Sequence, residues 1–147
     1  MYYMAYGSNL HLGQMANRCP DAVPVGKGIL EGWKLRFRVH ATIETEKGSS
    51  VPVGIWEISK EDEKSLDRYE GFPRYYYKTM LPVKMKDFTG HEVEIWAMAY
   101  IMQEGRPISE PSEYYYQIIK EGYRRFGLPI KPLRAALVES MECECHE

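Results

Sequence analysis

The chain has 147 residues, 44% of them hydrophobic and 27% charged, with a formal net charge of −2, the balance of an ordinary globular domain. A chain this long hides roughly 68–70% of its unfolded surface, so one domain spanning residues 1–147 is expected. The basic residues are scattered rather than clustered, which argues against a nucleic-acid partner, and no apolar run is long enough for a membrane span. Met1-Tyr2-Tyr3-Met4 lacks the basic start of a signal peptide, so a cytoplasmic protein is expected.

Tyr2 to Tyr6 is aromatic, apolar and β-prone, and it stops at Gly7-Ser8-Asn9-Leu10. Leu10, Leu12, Met15 and Ala16 then follow helical spacing as far as Cys19. The reading is strand, glycine-containing turn, helix. At such a junction the backbone N–H groups of the turn have no intrahelical partner, and the helix dipole adds partial positive charge, which makes an anion cradle without lysine. The competing reading is that Ser8 or Asn9 simply caps the helix.

Ala22 to Val39 reads as extended, with Gly26, Gly28 and Gly32 marking bulges or bends of the kind that close a small barrel. Trp33, Leu35 and Phe37 share its inner face, while Lys34, Arg36 and Arg38 alternate with them as a solvated face. Ala41-Thr42-Ile43 is extended, Glu44 to Ser50 reads as a polar turn region, and Val51 to Ile58 as another strand with Pro52 at its edge or beginning. Ser59 is an N-cap ahead of a short acidic-start helix that runs through Leu66-Asp67-Arg68-Tyr69 and is broken by Glu70-Gly71-Phe72-Pro73.

Tyr77 to Met85 and Glu92 to Ile101 form a hairpin across Asp87-Phe88-Thr89-Gly90, with Val93, Ile95, Ala97 and Ala99 alternating against Glu92, Glu94, Trp96 and Met98. Pro111-Ser112 opens the longest helix, whose face carries Tyr115, Ile118, Ile119, Gly122, Tyr123 and Phe126, and Gly127-Leu128-Pro129 ends it. Leu133 to Val138 adds a short last helix, followed by a flexible tail over residues 140–147. About six strands, mostly short-linked, with three or four helices favour an α+β fold with a small, mostly antiparallel, partly closed barrel.

Three cysteines, two of them in the terminal Glu-Cys-Glu-Cys-His-Glu, do not make a disulfide framework. Cys143, Cys145 and His146 could hold a soft metal, but a closed zinc site needs a fourth ligand, so no metal site is assigned. Cys19 is a weak nucleophile candidate with no His or Asn suitably arranged nearby.

Glu70 is the more informative residue. It sits at a helix-to-loop junction with Tyr69, Phe72, Tyr75, Tyr76 and Tyr77 within seven positions, so partial desolvation is expected to lift its carboxyl from about 4.3 towards neutrality, as a general base requires. The alternative is an exposed Glu70 paired with Arg68 or Arg74.

Tyr6-Gly7-Ser8-Asn9-Leu10 after a first strand, Arg18-Cys19-Pro20-Asp21-Ala22, Leu66-Asp67-Arg68-Tyr69-Glu70-Gly71, Pro111-Ser112-Glu113-Tyr114-Tyr115 and Gly127-Leu128-Pro129 occur in that order along the chain. Together they resemble the γ-glutamylcyclotransferase family. The resemblance implies a small mixed, mostly antiparallel β-barrel with flanking helices, no cofactor, and release of 5-oxoproline from a small-molecule γ-glutamyl amide. It also implies that the Gly7-Ser8-Asn9-Leu10 loop holds the γ-glutamyl carboxylate through backbone N–H groups, that Glu70 is the catalytic acid/base, and that Tyr6, Tyr76 and Tyr100 line the pocket. Tyr75 or Tyr77 could take the place of Tyr76 by a one-residue slip.

The chain departs from the family between Phe37 and Val51, where it is shorter than the glutathione-type enzymes and lacks their Trp and paired glycines. Glu70-Gly71-Phe72-Pro73 followed by Tyr76 is similar to the γ-glutamylamine branch, so the amine half of the substrate is open. A non-catalytic γ-glutamyl- or 5-oxoproline-binding module is the second reading. The aromatic surplus at Tyr114 to Tyr116 and Trp96 suits either core packing or a dimer contact, leaving monomer or homodimer open.

Overall fold

The computed structural model describes the backbone of residues 1–145 and the side chains of residues 1–142. Among these residues five strands form a closed barrel in the order β1-β3-β2-β4-β5: β1 (Tyr2–Ala5), β2 (Val23–Arg38), β3 (His40–Glu57), β4 (Tyr76–Asp87) and β5 (Glu92–Met102). The pairings are antiparallel except where β5 meets β1 through Tyr3↔Met98, which closes the ring in parallel. Helices α1 (Leu12–Arg18), α2 (Lys60–Glu70), α3 (Glu113–Phe126) and α4 (Lys131–Cys145) flank it. The mixed α+β barrel expected from the sequence is the fold. Met4, Phe37, Ile43, Val53, Ile55, Ala97 and Ala99 are among its fully buried residues.

Close strand approach permits closure. An added Cβ at Gly28 would lie 2.5 Å from the Lys84 carbonyl oxygen, so β2 and β4 can cross only because the side chain is missing there.

Five expectations are corrected. First, Glu44 to Ser50 is not a turn: the chain reverses at Val39, with Arg38 paired to His40, and β3 then runs unbroken to Glu57. Cross-strand charge pairs hold the polar stretch in the ladder, with Glu44 2.8 Å from Arg38 and 3.1 Å from Arg36, while residues 46–49 bulge opposite Gly32. Two expected strands therefore merge, and six become five.

Second, Lys34, Arg36 and Arg38 are not a bare solvated face. Glu139 of α4 lies 2.8 Å from Lys34 and 3.4 Å from Arg36. Third, Pro52 lies inside β3, just beyond the last β1 pair at Ala5↔Gly54, where only β2 is laddered against it. Fourth, α4 continues through Cys145 with Ser140 buried, so the expected tail does not begin at 140. Met98, expected to share the outer face with exposed Trp96, is also buried, at the point where β1 joins β5.

The helix ends follow local rules. Ser59 and Asp62 form a reciprocal capping box at the start of α2, Ser112 accepts from the Tyr115 N–H at the start of α3, and Gly71 and Gly127 close the two helices in left-handed conformation. Among the described residues no helix is long and apolar enough to cross a membrane, and no cluster of three His, Cys, Asp or Glu is arranged to hold a metal ion. The Cys143, Cys145 and His146 set lies outside the residues whose side chains are described.

Candidate active site

The first strand ends in a short 3₁₀ turn, Ser8–Leu10, before α1 begins, and neither Ser8 nor Asn9 caps that helix. His11 does so, its Nδ1 accepting from the Gln14 N–H at 3.1 Å. The helix-cap reading of the turn is thus overturned, and its side chains are turned to other partners. The Leu10 and His11 amides close the turn onto Gly7 and Ser8, so the Ser8 and Asn9 amides remain as first-turn donors without an intrahelical acceptor.

Asn9 is buried and its polar groups are engaged. Its Nδ2 donates to Tyr3 OH at 2.8 Å and to Glu70 Oε1 at 3.3 Å, its Oδ1 accepts from Arg18 Nη1, and its carbonyl accepts from Trp56 Nε1 at 3.0 Å. Arg18 also donates to Gln14 at 2.9 Å and stacks on the Tyr69 ring, 3.4 Å from its centroid. Ser8 Oγ is hydrogen-bonded to Tyr69 OH at 2.9 Å, and among the described residues no basic side chain is bonded to it, so it is not set up as a nucleophile.

Gly71 stops α2 immediately after Glu70, which leaves that carboxylate at the helix end, facing a cavity of about 280 Å³. The walls come from six elements or their junctions: Tyr3, Tyr6, Gly7, Ser8 and Asn9 from β1 and its turn, His40 and Ala41 from the β2–β3 reversal, Tyr69 and Glu70 from α2, Tyr75 and Tyr76 from the start of β4, Tyr100 from β5 and Tyr115 from α3. Burial pushes the Glu70 carboxyl up to about 7, against the opposing pull of the Arg18 charge and the Asn9 hydrogen bond. The exposed ion-pair alternative fails: Arg68 donates to Ser65, and no ion pair among the described residues involves Glu70.

Of the residues singled out from sequence, Tyr6, Gly7, Ser8, Asn9, Glu70, Tyr76 and Tyr100 all line this cavity. Leu10 does not. Its side chain is fully buried under Gly54 and Gly122, and its amide is bound to Gly7, so it anchors the turn from beneath. Of the three adjacent tyrosines, Tyr76 and Tyr75 both line the cavity, Tyr76 buried with its OH donating to Ala41 O at 2.6 Å and Tyr75 beside His40, whereas Tyr77 is exposed and does not line it. Cys19 is buried, donates to Asp62 O, and its thiol is pushed up to about 11 by burial, which removes it as a nucleophile.

Sequence reasoning missed Tyr3, Arg18, Asp67 and Tyr115. Tyr115 OH accepts from the Ala41 N–H at 3.0 Å, and Tyr100 OH donates to Asp67 Oδ1 at 2.6 Å. Asp67 had one signal, its position three residues before Glu70 on the same helix face. Tyr3 had none, and Arg18 had only its place at the head of the Arg18-Cys19-Pro20-Asp21-Ala22 stretch, since nothing in the local pattern showed that both side chains would meet Asn9. Of the aromatic surplus, Tyr116 belongs to the core, whereas Tyr114 and Trp96 are exposed.

Residues 3–125 match the family model described as gamma-glutamyl cyclotransferase, AIG2-like. The gamma-glutamylcyclotransferase of Mus musculus is 33% identical over 141 residues, covering 86% of this chain and 72% of that protein. That of Bos taurus is 30% identical over 141 residues, covering 88% and 73%. A solved structure described as gamma-glutamyl cyclotransferase superposes with a TM-score of 0.75 at 28% identity, over 92% of this chain and 85% of its own. The chain belongs to the γ-glutamylcyclotransferase family.

Proposed function

We propose that this protein is a γ-glutamylcyclotransferase that releases 5-oxoproline and a free amine from a small-molecule γ-glutamyl amide. The observation that carries the proposal is the pairing, in one cavity, of the turn at Ser8 and Asn9, whose amides have no intrahelical acceptor, with a Glu70 carboxyl raised to about 7. The name borne by the mouse and bovine relatives supports the same reading.

A γ-glutamyl amide contains its own nucleophile, since the α-amine can attack the γ-carbonyl to close a five-membered ring. Well-oriented intramolecular attack reaches effective molarities of roughly 10⁵–10⁸ M, so the enzyme's task is to fold the substrate and move protons. The turn around Gly7, Ser8 and Asn9 holds the substrate's anionic end and supports the developing oxyanion. Glu70 accepts a proton from the α-ammonium and returns one to the departing amine; a group near pH 7 serves both directions. Tyr6, Tyr76 and Tyr100 shape the wall on which the chain of the substrate folds.

The reaction needs no cofactor. We assign the activity to a single domain in the cytoplasm, acting as a monomer or homodimer. Incubation with a panel of γ-glutamyl-amino acids, γ-glutamylamines and glutathione, with detection of 5-oxoproline, is expected to give product from at least one class and none with Glu70→Gln. A folded wild type that yields no 5-oxoproline from any of them overturns the proposal.

A further inference from the structure

The cavity tyrosines are not equivalent hydrogen-bonding groups. Tyr6 OH donates to Tyr100 O, Tyr76 OH donates to Ala41 O, and Tyr100 OH donates to Asp67 Oδ1. A phenol carries one proton, so a tyrosine that gives it to a fixed protein acceptor can only accept from a ligand. Tyr3 and Tyr115 are the converse, since each accepts an N–H from the protein and keeps its own proton. One set of hydroxyls therefore offers the cavity lone pairs, and the other can offer protons.

Of the three acceptors that fix the lone-pair set, two are backbone carbonyls and one is a side chain, Asp67. Lys78 of β4 donates to the second Asp67 oxygen at 3.0 Å and to Glu63 at 2.9 Å, and its ammonium lies 4.3 Å from the Phe72 ring centroid. A continuous chain thus runs Glu63–Lys78–Asp67–Tyr100 across α2, β4 and β5. Lys78 occupies the second Asp67 oxygen and is itself fixed by Glu63, which leaves the first oxygen to hold the Tyr100 proton. Burial first, and the Asp67 bond second, push the Tyr100 hydroxyl up, so it stays a neutral phenol.

We infer that Asp67 is a positioning residue for the cyclisation: by holding the Tyr100 proton it makes the Tyr100 oxygen an acceptor for an N–H of the substrate's α-nitrogen. The nitrogen is thereby turned with its lone pair towards the γ-carbonyl once Glu70 has taken a proton. The C–N bond of the ring forms and the amide C–N bond breaks, and the proton that Glu70 took goes to the departing nitrogen. The second proton shed by the ring nitrogen follows through the same carboxylate, so the amine leaves as an ammonium ion and the lactam keeps the N–H held by Tyr100. Tyr100 and Asp67 exchange no net proton. The inference rests on the γ-glutamyl reading given above.

The test uses the full chain, a turned-over γ-glutamyl amide, and the corresponding glutaric acid monoamide, which lacks the α-amine, as an inhibitor. Wild type, Asp67→Asn, Tyr100→Phe and the double variant are compared. Each single change is expected to lower kcat by about tenfold or more, as loss of a hydrogen bond to a charged group does. The double variant is expected to be no worse than the worse single one, and the inhibition constant of the monoamide to move by less than about threefold. Effects that multiply in the double variant, or a monoamide constant that weakens in step with kcat/KM, overturn the inference while leaving the cyclotransferase reading intact. Absence of wild-type turnover overturns both. If Asp67→Asn does not fold, Tyr100→Phe decides: unchanged kcat in that variant overturns the inference, and a kcat loss with an unmoved monoamide constant upholds it.

Discussion

Asn9 Nδ2 donates to Glu70 Oε1 at 3.3 Å, which ties the turn after the first strand to the last residue of α2, 61 positions later. Arg18 on Oδ1 fixes which way round the amide sits, so the Nδ2 end faces Tyr3 and Glu70. An aspartate cannot replace it, because the donor would become a second carboxylate beside the first. Asn9→Asp is expected to lower kcat/KM at neutral pH by about tenfold or more and to move the acid limb of the pH–rate profile upward. A profile that coincides with wild type would show that the contact does not govern the base.

Arg18 acts on Glu70 by charge rather than by contact, and its charge lowers the carboxyl's proton affinity. With Glu70 as a base, wild-type kcat/KM is expected to rise with pH through about 7. Arg18→Gln removes a cation that favours the carboxylate, so the midpoint of that limb is expected to move up, and activity to fall most at the acid end. Pre-steady-state or kcat/KM titrations of the two proteins measure it.

Glu70→Gln separates catalysis from folding. The folded-state carboxyl is raised from 4.5 to about 7, so below the lower value the protonated acid is carried without penalty, and the associated stability is lost as pH rises through about 7. The variant is expected to be inactive yet to melt higher than wild type at about pH 8, with the difference vanishing near pH 4. Thermal melts across that range read the sign directly. A variant less stable than wild type at every pH would contradict the burial of the charge.

Gly122 of α3 supports the turn from below. A Cβ there would lie 2.5 Å from Leu10 Cβ and 2.7 Å from its backbone carbon, and backbone cannot move aside as a side-chain tip can. Gly122→Ala is expected to cost roughly 1–3 kcal/mol of stability by urea denaturation and to reduce turnover through displacement of the Ser8 and Asn9 amides. Wild-type stability and activity together would mean that the helix and the turn are not locked.

The adjacent tyrosines give a contrast within one strand. Tyr76 is buried with its hydroxyl on Ala41 O, whereas Tyr77 points to the opposite face and is exposed. Tyr76→Phe leaves the buried Ala41 carbonyl without its donor and is expected to cost about 1–3 kcal/mol and most of the activity. Tyr77→Phe is expected to keep kcat/KM within about twofold of wild type. Parallel assays and melts of the two variants distinguish the faces.

Local rules were legible in the amino-acid sequence alone. Ser59 with Asp62, Ser112, Gly71 and Gly127 bound their helices as expected, because capping involves atoms three or four residues apart. The aromatic setting of Glu70 likewise announced a desolvated carboxyl. Glu44 to Ser50 misled because its turn-prone composition is overruled by Arg36 and Arg38, partners reached only through the ladder with β2.

What the sequence determined by itself was therefore most of the elements, the barrel class and the two halves of the candidate site: the turn at Gly7 to Asn9 and the carboxylate at Glu70. Only the tertiary structure decided how the halves are joined. Asn9 meets Glu70, Arg18 tunes it, Leu10 turns inward as an anchor, and Asp67 takes the Tyr100 proton. Each of those relationships depends on the direction of a side chain across a closed barrel, and direction at that range is set by packing and strand register rather than by neighbours in the chain.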